Sequence, residues 1–151
     1  MTDEDEFRRT LEDVQELPCA FQKAVLNRQC DCSLVERFNL GERECVRCTD
    51  YNAARNCWAL LQLFRDKGRF ALGERQIPGA LPHAKELRLQ AGGLQGLQSA
   101  LDPDHRPRVA DIHGLAGRAQ STYGSLQRLP FEAVAQGISR FCGRRRSRRR
   151  P

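Results

Sequence analysis

Five of the seven cysteines, Cys30, Cys32, Cys45, Cys48 and Cys57, stand within 28 residues. Their spacing is C-x-C, twelve residues, C-x2-C, eight residues, C. None of the three histidines falls inside this stretch; His83, His105 and His113 all follow it. A metal held here would therefore rest mainly on sulfur, and soft thiolates suit zinc, copper(I) and iron–sulfur clusters.

Four thiolates suffice for a structural zinc or for a cluster. Structural zinc usually draws on two short Cys-x(2–4)-Cys elements, and only Cys45-x2-Cys48 has that spacing. Iron–sulfur clusters are larger and accept an isolated ligand from elsewhere. The pattern matches neither standard ferredoxin run. The expected cofactor is thus an iron–sulfur cluster, with zinc the alternative, and the expected role is electron transfer, redox sensing or stabilisation of a complex.

Cys30, Cys32, Cys48 and Cys57 rank as the first-choice ligands, with Cys45 the alternate. Cys48 precedes the start of a helix, whose positive end favours thiolates and an anionic cluster. Cys57 falls on the inner face of that helix, roughly 10 Å along it at about 1.5 Å per residue. The two could share a site only if the loop folds back along the helix. The competing reading is of reduced, unligated cysteines, since Cys57 shares a face with Trp58 and Leu61. Cys19, outside the stretch, reads as a small buried apolar residue, which is what free cysteine most often is. A thioredoxin-type reading of Cys45-Val46-Arg47-Cys48 lacks its βαβ context.

No other motif carries a reaction. G-x-S-x-G, the P-loop and G-x-G-x-x-G are absent from the sequence, so a non-enzymatic role is favoured. His113 on an apolar face reads as a core histidine, and His83 has no identified partner. The helix–Gly92-Gly93–helix stretch has the spacing of a DNA-reading turn, but two packed core helices explain it better.

Charge is lopsided. Six of the 25 lysines and arginines stand in residues 143–151, and the remaining 19 match the 19 acidic residues. The body is neutral and the excess forms a tail, Arg144, Arg145, Arg146, Arg148, Arg149 and Arg150. Arginines neutralise phosphates, so the rival function is a zinc-stapled or metal-free helical module that engages nucleic acid or an acidic partner through this tail. No aromatic residue within it can stack on bases. The start, Met-Thr-Asp-Glu-Asp-Glu-Phe, has neither the basic nor the apolar region of a signal peptide. No apolar run approaches the roughly 18 residues of a membrane span. The expectation is a cytoplasmic protein with no membrane association. Its partner would be a protein of unknown identity. In a reducing compartment an odd number of cysteines argues against a disulfide framework.

The elements that must position these residues are read from periodicity. Residues 5–17 and Ala20–Asn27 each show helical spacing, broken by Pro18. Between Arg28 and Asp50 the period fails, and short helical turns are expected at 34–38 and 42–48. A stretch of that length without structure is uncommon unless functional or cross-linked. Residues 50–67 form the clearest helix, capped by Thr49 or Asp50, with Ala54, Cys57, Trp58, Leu61 and Phe64 inward and Trp58 as a core anchor. Pro82 opens another helix, which Gly92-Gly93 interrupts. Leu94, Leu97 and Leu101 resume it. Val109, Ile112, His113 and Ala116 share a further face, and Pro130 opens the last helix. The expected fold is all-α: one domain over 1–142, an irregular array of five to seven helices with the cysteine-rich loop packed on the helix at about 50–67, then a disordered tail over 143–151.

Overall fold

The computed structural model describes residues 5–6, 17–104 and 107–142. The arginine tail, most of the 5–17 helix and His105 lie outside them. The described chain is mostly helical, but it is not all-α. The segment expected to hold short helical turns is a β-hairpin. Strand β1 (Val35–Leu40) pairs antiparallel with β2 (Arg43–Cys48), from Val35 opposite Cys48 to Leu40 opposite Arg43. Gly41 and Glu42 make the two-residue turn, and Gly41 takes φ +66°. Such hairpins need positive φ at the first turn position, where glycine costs nothing. The strands escape notice in the sequence because their residues do not alternate cleanly between apolar and polar. Only Cys45 and Val46 of the hairpin are fully buried.

Helix α1 (Gln22–Leu26) buries Ala24 and Val25. Helix α2 (Tyr51–Gly68) starts where Asp50 caps it, its carboxylate accepting from the Ala53 N–H at 2.8 Å. Its buried face is Ala54, Leu60, Leu61, Phe64 and Gly68. Trp58 is not a core anchor: it sits at the edge of that stripe and is 43% exposed. The stripe drifts because 3.6 residues per turn carry i+10 and i+14 around toward Leu60.

A 3₁₀ turn (Arg69–Leu72) follows α2. Helix α3 (His83–Leu87) then begins after Pro82 and runs without a break through a π turn (Arg88–Gly92) into α4 (Gly93–Leu101). Gly92-Gly93 does not interrupt it, because both glycines keep helical torsions. Their missing side chains serve contact instead. A Cβ on Gly93 would stand 2.6 Å from the Phe64 ring, and one on Gly92 would stand 2.8 Å from the Gly137 carbonyl oxygen.

Helix α5 (Ile112–Tyr123) buries Ile112, Leu115, Ala116 and Ala119 and stops at Gly124, φ +93°. His113, expected in the core, is exposed. Helix α6 (Phe131–Arg140) follows Pro130 and buries Val134 and Ile138. It lies across α4 and α2. One polar chain threads this core. Arg65 pairs with Glu86 at 3.4 Å, Gln90 donates to Glu86 at 2.8 Å, and Gln90 accepts from the Ala24 N–H at 3.1 Å. Every member finds a partner, as buried polar groups must. Among the described residues no helix is long and apolar enough to cross a membrane.

Candidate metal centre

Three backbone attachments draw distant cysteines together. First, the Cys48 N–H donates to Leu17 O at 2.7 Å, and Pro18 bridges antiparallel to Arg47. The Trp58 indole N–H also donates to Pro18 O, at 3.0 Å. Residues 17–18 thereby act as a short third strand, which sets Cys19 beside the end of β2. Second, Cys30 bridges in parallel to Val109, the Asp31 N–H donates to Val109 O at 3.0 Å, and the Ile112 N–H donates to Asp31 O at 2.9 Å. This fastens Cys30–Ser33 to the start of α5. Third, Thr49 donates to Leu34 O through its N–H at 2.9 Å and its hydroxyl at 2.6 Å, closing the base of the hairpin.

The result is one cavity lined by Cys19, Cys32, Cys48 and Cys57. Cys48 and Cys57 both line it, although they stand nine positions apart in the chain. Phe21, Leu34 and Val35 supply apolar wall, and the cavity holds about 20 Å³, room for roughly one water. Ala53 and Ala54 from the first turn of α2, and Ile112 and His113 from the first turn of α5, complete it. Two helix N-termini, each carrying partial positive charge, therefore border the four sulfurs.

Backbone N–H groups also serve the sulfurs directly. Leu34 N–H donates to Cys32 Sγ at 3.5 Å, from residue i+2 back to cysteine i, and the backbone at His113 and at Phe21 pulls the Cys32 and Cys19 thiols down, respectively. The Cys48 thiol donates to Asp50 O at 3.3 Å.

The remaining expected ligands fall elsewhere. Cys30 is buried beside Cys19 and Cys32, close enough to feel their charge, but it does not line the cavity. Cys45 is buried three residues before Cys48 on β2 and so faces the other side of the strand. Cys19, read from sequence as an ordinary core residue, takes the place in the group that Cys30 was expected to fill. Its signal was invisible in spacing: the pairing of residues 17–18 with 47–48 spans the whole hairpin and α1. His83, without a partner in the sequence, receives a hydrogen bond from the Lys23 ammonium at 3.3 Å.

Burial pushes the Cys19 and Cys57 thiols up to about 12, and neighbouring cysteine charge adds to it: Cys32 and Cys48 act on both, and Cys19 also acts on Cys57. Burial raises Cys30 to about 12 as well. Burial also raises Cys32, against the pull of the Leu34 and His113 backbone. Without a cation these thiols stay protonated at neutral pH. A folded-state pKa above the unfolded one stabilises the fold below the unfolded value and loses that contribution as pH rises toward the folded value. The metal-free protein should thus weaken steeply between about pH 9 and pH 12. Urea midpoints across that range will check this, with Cys30→Ala expected to flatten the slope.

Asp111 anchors the α5 side. Burial alone would raise its carboxyl, but the Ser33 backbone and hydroxyl, the Gly114 N–H and the charge of His113 together hold it below the usual carboxylate range. Ser33 N–H reaches its Oδ1 at 2.8 Å. Here the sign reverses. The contribution is present above the ordinary carboxylate pKa of about 3.9 and is lost as pH falls through the lowered value. Asp111→Ala should cost about 1–3 kcal/mol at pH 7. Urea unfolding at pH 7 and pH 2.5 should show the gap between variant and parent closing in acid.

Among the described residues, no group of three or more His, Cys, Asp or Glu side chains is set to hold a metal ion with the side chains as they stand. The four thiols line walls and do not meet at a point. Compared with family models, with curated proteins and with solved structures, the chain matches none.

Proposed function

We propose that the protein carries an iron–sulfur cluster on Cys19, Cys32, Cys48 and Cys57 and works in electron transfer or redox sensing. The observation that carries this reading is the shared cavity: four thiols from four separate segments line it. One buried thiol, Cys19, and three half-buried ones repel one another once ionised, and a soft cationic or cluster centre removes that conflict.

The donor set favours a cluster over zinc. Structural zinc sites usually contain Cys-x(2–4)-Cys pairs. With Cys45 on the other side of β2, no such pair is left among the four. N–H donors to sulfur and nearby helix N-termini are the features that stabilise and tune anionic clusters.

The test is an absorption spectrum of anaerobically purified protein, with iron, sulfide and zinc assayed on the same sample. Broad absorbance near about 400 nm with matching iron and sulfide supports the proposal. A colourless protein with one zinc replaces the cluster by a structural ion. A colourless, metal-free protein that stays so after anaerobic reconstitution overturns it. Because the thiols must deprotonate on binding, metal uptake should tighten as pH rises, with proton release measurable by calorimetry in buffers of different ionisation enthalpy.

A further inference from the structure

A second concavity, lined by Trp58, has the build of a ligand site. Its volume is about 410 Å³, within the range of small-molecule pockets. Trp58 and Leu61 of α2, Ala20 and Lys23 at α1, and Leu81 before α3 line it. We propose that this pocket binds a small planar aromatic anion, its ring stacked on Trp58 and its anionic group on Lys23. The site is independent of what the thiols bind.

Three observations converge on that class. The ring is fixed: the indole N–H is used by Pro18 O at 3.0 Å, yet the side chain is 43% exposed beside an open pocket. A large aromatic held rigid with an uncovered face is a stacking platform. The charge is also defined. Glu86 at the back is 8% exposed and its carboxylate is neutralised by Arg65 and bonded by Gln90. Arg65 is further occupied by the Gly79 carbonyl. Among the described residues Lys23 enters no ion pair and is held only by neutral acceptance at His83 Nδ1. One ammonium is therefore left for a ligand. Finally, the floor is preorganised: the Arg65–Glu86–Gln90 chain ties α2, α3 and α1 together, so the pocket does not have to form on binding.

The ligand's anionic group is a carboxylate or a phosphate, and matched probes separate the two. Calorimetry and saturation-transfer NMR would be run with 2-naphthoate, 2-naphthyl phosphate, 2-naphthol and 2-(aminomethyl)naphthalene, with acetate and inorganic phosphate as ring-free controls. The expected result is saturable binding of both aromatic anions at micromolar concentration, weak binding of the neutral ring and none of the cation or of the ring-free anions. The tighter of the two anions names the source. Lys23→Ala should weaken the anions about tenfold or more, as loss of a charge-assisted contact does, and leave 2-naphthol unchanged. Trp58→Leu should abolish binding of all rings. Lys23 is at the surface, so its variant keeps the test valid if Trp58→Leu does not fold. The proposal is overturned if no aromatic anion saturates below millimolar concentration, if the cation binds as tightly, or if Lys23→Ala changes nothing.

Discussion

With the proposed cluster in place, Cys19→Ser is expected to remove bound iron and visible absorbance, while Cys45→Ser keeps both. The two substitutions are chemically identical and both sites are buried, so general destabilisation affects them alike. What differs is position. Cys19 lines the cavity with Cys32, Cys48 and Cys57. Cys45 sits across β2 from it, opposite Phe38 in the hairpin register. A serine hydroxyl is a far poorer ligand than a thiolate for soft metals, so losing one of four sulfurs should take bound iron from full occupancy to a small remainder. Cys30→Ser is the sharper comparison, since Cys30 lies beside Cys19 and Cys32 without reaching the cavity. It should retain the cluster and lose only some stability. Iron and sulfide assays on the purified variants, with circular dichroism to confirm folding, decide the matter. Retention in Cys19→Ser with loss in Cys30→Ser would return the ligand set to the one that spacing suggests.

Gly137→Ala is expected to cost about 3 kcal/mol, at the top of the usual range for overpacking and a large part of a typical domain's stability. The added Cβ would press on the Gly92 carbonyl oxygen and lie 2.6 Å from the Gly96 nitrogen and 2.7 Å from the Gly96 Cα. All are backbone atoms of the π turn and α4, and backbone cannot swing aside as a side chain can. Gly92 and Gly96 mirror the arrangement, meeting Gly137, Ala133, Val134 and Ile138. Helices α4 and α6 thus touch main chain to main chain, through glycines four apart. Gly117→Ala is the control with opposite sign. Its Cβ meets nothing within 4 Å, and it lies inside α5, where alanine gains about 0.5–1 kcal/mol over glycine. Urea midpoints for the two variants should move in opposite directions.

The helical part of the fold was legible because its signals are local. Pro82 and Pro130 punctuate the chain where helices begin, and Asp50 caps α2. Periodicity found Ala54, Leu61 and Phe64. Gly92-Gly93 misled because a pair of glycines has two physical uses, ending a helix or admitting a neighbour's backbone, and only the neighbour distinguishes them. The hairpin was missed for a related reason. It has water on much of its surface and gives no clean alternation, so its one local mark is the Gly41-Glu42 turn.

By itself the sequence determined that clustered cysteine is the chain's distinguishing feature, with Cys30, Cys32, Cys48 and Cys57, and Cys45 as alternate, the candidate ligands, and that charge is concentrated in a terminal run of arginines. These follow from residue type and count, which no folding can alter. The tertiary structure alone decided which cysteines line one cavity. Cys19 joins them because residues 17–18 pair with the end of β2. Cys45 is turned away because a strand sends alternate side chains to opposite faces. Contacts between segments far apart in the chain depend on register and topology, and neither is written in the spacing of one residue type.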